Sequence, residues 1–79
     1  MENTALFDNN TFNDAHIIDT IKKVYTILEE RGYDPINQLT GYIMSGDPGY
    51  ITSYKEARNM VSKIDRSVII ELLLRNYIK

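Results

Sequence analysis

Seventy-nine residues with a net charge of −2 and a pI near 5.2 specify one small domain. With no cysteine, disulfides and thiolate zinc sites are excluded, and a single histidine, His16, argues against a histidine-based metal centre. The acidic balance argues against a general affinity for phosphate backbones, and a core this small points to a partner chain as its supplement.

No apolar run approaches the ~20 residues of a membrane span. The acidic, polar start also lacks the basic and apolar regions of a signal peptide. The expectation is a soluble, cytoplasmic protein without membrane insertion.

Residues 1–13 are rich in asparagine and carry no basic side chain. Leu6, Phe7 and Phe12 follow no helical period, and the asparagines favour local turns, so this segment reads as a flexible arm. Residues 14–79 then form the helical domain. Its first helix runs from about Asp14 to Arg31, with Asn13 as N-cap and Gly32 at the left-handed position that ends it. Ile17, Ile21, Val24 and Leu28 make the apolar stripe, which Ile18 and Tyr25 widen. Asp19 stands four residues before Lys23, a spacing that supports the exposed face.

Asp34 caps the second helix and Pro35 takes its first position, where a missing N–H costs nothing. Ile36, Leu39, Tyr42 and Ile43 make its inner side. Gly41 in its middle implies the close approach of another helix. Gly46 ends this helix, and Asp47-Pro48-Gly49-Tyr50 has the composition of a turn. Ser53 and Glu56 form a capping box for a third helix over Tyr54–Ile64, with Tyr54, Ala57, Met60 or Val61, and Ile64 inward.

Asp65 caps a fourth helix from Arg66 to about Ile78. Val68, Ile69, Ile70, Leu72, Leu73, Leu74, Tyr77 and Ile78 cover more than one stripe of it. Three short partners can hardly bury such a helix; a second copy of the chain is the simplest remedy, with a different partner or a β-strand over Ser67–Leu74 as the alternatives. Ile69, Leu72, Leu73 and Tyr77 are the expected dimer interface. The fold class is all-α: about four helices in a small bundle, an N-terminal arm, and a homodimer.

Chemistry is hard to find. His16 could be oriented by Asp14 or Asp19, yet there is no second histidine and no serine in a nucleophile setting, so the histidine reads as a surface residue and the chain as no enzyme. Gly46-Asp47-Pro48-Gly49 lacks the lysine and preceding strand of a phosphate loop. No cofactor or metal is implied. Lys55, Arg58, Lys63 and Arg66 allow an alternative, a helix-turn-helix DNA-binding protein, which the acidic total and the intervening Glu56 and Asp65 weigh against. Tyr33, Tyr42 and Tyr50 bracket the turns and suit a protein interface. Asn37 and Gln38 have no local role. With Asp47 and Arg58 these residues form the candidate partner surface.

Gly32-Tyr33-Asp34-Pro35-Ile36-Asn37-Gln38, Gly41-Tyr42, Ser45-Gly46-Asp47-Pro48 and Ala57-Arg58-Asn59 resemble the IreB family of small regulatory phosphoproteins of Gram-positive bacteria. The resemblance implies a helical cytoplasmic homodimer with a regulatory role. It also implies phosphorylation of the arm by a membrane Ser/Thr kinase with extracellular PASTA domains, and negative regulation of the response to cell-wall stress and cephalosporins. The downstream protein is not named by it. Thr4-Ala5-Leu6-Phe7 matches the family's Thr-x-x-Phe element, which makes Thr4 the expected phosphorylation site. A further threonine of some members would fall on Met1, and Thr11 matches no family position. Asp34, Gly49 and Thr52 stand where asparagine, alanine and proline are common.

Overall fold

The structure, a computed structural model, describes the backbone of residues 3–78 and the side chains of residues 14–78. Four α-helices lie within it: α1 (Asn3–Glu30), α2 (Pro35–Ser45), α3 (Ala57–Ser62) and α4 (Arg66–Ile78), with 3-10 turns at Pro48–Tyr50 and Tyr54–Glu56. No strand occurs among the described residues. α1 is the backbone of the fold and packs against α2, α3 and α4.

α1 begins at Asn3, not Asp14, and so runs through residues expected to be an arm. Extending an existing helix by a residue is far cheaper than nucleating one, and no glycine or proline interrupts residues 3–13. The side chains of Thr4 and Thr11 lie outside the described ones. At its other end α1 stops as expected. Gly32 adopts φ +81°, its N–H donates to the Glu29 carbonyl and the Tyr33 N–H to the Leu28 carbonyl, each at 3.0 Å.

The Asp34 carboxylate caps α2 by accepting from the Ile36 and Asn37 N–H groups at 3.1 and 3.3 Å. Gly46 closes it in the left-handed conformation, donating to the Tyr42 carbonyl at 2.7 Å. Asp47 then shapes the next turn by accepting from the Gly49 N–H at 2.8 Å.

The core joins Val24, Ile27 and Leu28 of α1 to Leu39 and Tyr42 of α2, Ile51 of the connection, Ala57 and Val61 of α3, and Ile69 of α4. Ile51, Val24 and Leu28 lose all contact with solvent. Three residues expected inside are not there. Ile36 is 61% exposed, Tyr54 lies outside, and Tyr25 stays at the rim; α2 turns Pro35, Leu39 and Tyr42 inward, and Ile36 stands on its other side.

The third helix is the main departure. α3 starts at Ala57, and Ser53 makes no side-chain cap bond. Lys55 and Glu56 are both left-handed, at φ 51° and 65°, which breaks the path from Ser53 into the helix. The Glu56 carboxylate accepts instead from the Asn59 side-chain amide at 2.6 Å, so the capping box is not made. Thr52 takes over: its hydroxyl accepts from the Tyr54 N–H at 3.2 Å and its carbonyl from the Arg58 N–H at 3.1 Å.

Candidate interaction surfaces

The segment from α2 to α3 is held by polar bonds that cross between elements. Gln38 Nε2 donates to the Tyr50 carbonyl at 2.8 Å. Arg58 Nε donates to the carbonyls of Ile51 at 2.8 Å and Pro48 at 3.1 Å. Arg66, the first residue of α4, donates from Nη1 to the Ile43 carbonyl at 2.8 Å. That carbonyl lies in the last turn of α2, where a cation also meets the negative end of the helix dipole. The Arg66 guanidinium lies close over Gly46; a Cβ there would stand 2.8 Å from its Cζ.

Gly41 faces an aromatic ring, not another helix. A Cβ at Gly41 would lie 2.4 Å from Tyr50 Cε1, so the expected helix crossing is corrected to a ring-on-backbone contact.

These bonds redraw the expected partner surface. Tyr42 is only 6% exposed and belongs to the core. Gln38, Asp47 and Arg58 are engaged within the chain, as bridge, cap and clamp. Tyr33, Asn37 and part of Tyr50 remain open. Their neighbours on the outer side of α2 were not picked out by sequence reasoning: Ile36, Thr40 and Met44, the last 77% exposed, stand four residues apart. Together with Asn37 they give α2 an outward face without a charged residue. The signal was present in the spacing, but Ile36 looked like a core residue.

α4 divides in the same way. Ile69 and Leu72 are buried against the rest of the chain, which removes them from the expected dimer interface. Ile70, Leu73, Leu74, Tyr77 and Ile78 are exposed, Tyr77 at 89%. Leu73 edges an apolar cleft of about 140 Å³ that Ile17, Ile18 and Ile21 of α1 also line. Arg75, on the same helix, pairs with Glu71 and lies 3.8 Å from the Asp14 carboxylate.

The four cations considered for nucleic acid are dispersed. Arg58 and Arg66 serve backbone carbonyls, and Lys55 pairs with Glu30 at 3.2 Å. The hydrogen bond and charge of Glu30 raise the Lys55 ammonium above the usual lysine range. Lys63 alone of the four shows no such bond among the described residues, and α3 is only six residues long. This geometry does not support a recognition helix. The histidine cluster is likewise unassembled, because Asp19 pairs with Lys23 at 3.3 Å and Asp14 faces Arg75. His16 is exposed beside an open groove of about 540 Å³ between α1 and the α3–α4 turn. Among the described residues no three His, Cys, Asp or Glu side chains group as metal ligands, and no helix is long and apolar enough to cross a membrane.

The family model for the IreB regulatory phosphoprotein matches residues 2–79. The chain belongs to that family, and the match includes Thr4 and the whole of the α2–α3 connection.

Proposed function

We propose that this member of a regulatory phosphoprotein family acts as a non-enzymatic cytoplasmic homodimer. Thr4 is its phosphorylation site, modified by a membrane Ser/Thr kinase with PASTA domains. Its role is to restrain the response to cell-wall stress and cephalosporins through a downstream protein partner. The observation that carries the reading is the family match over residues 2–79, with Thr4 in the Thr-x-x-Phe element.

The geometry supports the reading in two places. α1 starts at Asn3, so a phosphate on Thr4 would fall on its first turn, where open N–H groups and the helix dipole favour negative charge. About −1.5 to −2 charges would be added there. Lys55 and Arg58 are already engaged, by Glu30 and by backbone carbonyls, which leaves Lys63 as the cation of the α3 region without such a bond among the described residues. The exposed apolar side of α4 supports the dimer, and the uncharged outer face of α2, with Tyr33 and Asn37, is the surface offered to a partner.

Amide NMR spectra of the unmodified and Thr4-phosphorylated chain test the switch. Shifts confined to the N-terminal turns of α1 are expected. Broad shifts through α3 and α4 would show that the core responds and would refute this account.

A further inference from the structure

The residues Ser53 to Glu56 carry two incompatible instructions. Ser53-x-x-Glu56 is a capping box that would start α3 at Tyr54, yet Lys55 and Glu56 both sit at positive φ and the box is unmade. Left-handed backbone at two successive residues that are not glycine is uncommon and is held only where surroundings impose it. The surroundings are visible. Lys55 is bound by Glu30 at 3.2 Å. The Tyr54 ring has the Arg31 guanidinium 4.6 Å and the Lys55 ammonium 5.4 Å from its centre. Both outside partners, Glu30 and Arg31, lie at the end of α1 next to Gly32.

We propose that Ser53–Glu56 is a two-state element in which the end of α1 holds back the first turn of α3. In the state seen, the Arg58 N–H donates to the Thr52 carbonyl and Glu56 accepts from Asn59. In the other, Lys55 and Glu56 turn right-handed, Ser53 and Glu56 close their box, and the Arg58 N–H passes to the Tyr54 carbonyl. α3 then begins at Tyr54, and Tyr54 and Lys55 swing away from Arg31 and Glu30. Backbone hydrogen bonds are exchanged in number, so the balance rests on strain and cap on one side and on the exposed ion pair and cation–π contact on the other. Ile51, fully buried, keeps the preceding segment fixed in both. The device links α1 to α3 without touching the core.

NMR of the full chain reads it directly, because positive φ gives a strong intraresidue HN–Hα cross-peak at residues 55 and 56. The variant Glu30→Gln/Arg31→Gln should move the balance toward the right-handed state by roughly 3- to 30-fold, with helical carbon shifts from Tyr54 onward. Ser53→Ala should be silent in the parent chain, where the hydroxyl caps nothing, and should reverse the shift in the double variant. Glu56→Gly in that background should also restore positive φ. Unchanged methyl shifts of Ile51 and Val61 show that the core stays intact. Left-handed signatures at 55 and 56 that ignore the double variant, or Ser53→Ala acting equally in both backgrounds, would overturn the proposal.

Discussion

The Tyr50 ring occupies the space that a side chain on Gly41 would need, with Cε1 2.4 Å and Cδ1 2.5 Å from a Cβ placed there. Gly41 sits in the middle of α2, where alanine would normally gain about 1 kcal/mol. The overlap reverses that sign, since forcing atoms into a filled contact costs about 1–3 kcal/mol. Gly41→Ala is therefore expected to lower stability by about 1 kcal/mol and Tm by roughly 4–8 °C. In a Tyr50→Ala background the same change should raise stability, and thermal unfolding of the four proteins checks both signs.

Arg58 is a clamp whose geometry lysine cannot copy. Its Nε serves two carbonyls of the connection, at Ile51 and Pro48, from a planar group on a fixed stem. Arg58→Lys keeps the charge and should still cost about 1–3 kcal/mol, measured by urea unfolding. An unchanged midpoint would show that charge alone matters there.

Arg66 should act locally on the end of α2. Arg66→Ala removes the donor to the Ile43 carbonyl, a loss of about 1 kcal/mol. Hydrogen exchange should then quicken at the Gly46 N–H, which closes the same turn, and remain unchanged in α1.

The two sides of α4 should respond oppositely to substitution. Ile69→Ala opens a cavity in the core and is expected to cost about 2–5 kcal/mol in unfolding. Leu73→Glu and Tyr77→Glu change exposed positions and should leave the stability of a single chain within about 0.5 kcal/mol. Both should weaken self-association in sedimentation experiments. Self-association unmoved by either would place the dimer contact elsewhere.

Helix types and ends were written in local chemistry wherever one residue suffices. Gly32, Asp34, Pro35 and Gly46 each act within a few residues of themselves, and all four do what their chemistry implies. The roles that escaped were those set by residues distant in sequence. Gln38 is explained only by the Tyr50 carbonyl, Gly41 by the Tyr50 ring, and Arg66 by the Ile43 carbonyl, a partner 23 residues earlier. The capping box at Ser53 failed for the same reason, because Glu30 and Arg31 compete for its neighbours from another helix. For α4 the composition announced an apolar surplus, but only packing could divide Ile69 and Leu72, which face inward, from Leu73 and Tyr77, which do not.

Incubation of the chain with the cytoplasmic domain of a PASTA-type Ser/Thr kinase and ATP, followed by mass spectrometry, identifies the residue that is modified. Phosphate is expected on Thr4, lost in Thr4→Ala and retained in Thr11→Ala. Phosphate found only outside residues 1–13, or full modification of Thr4→Ala, would contradict that expectation.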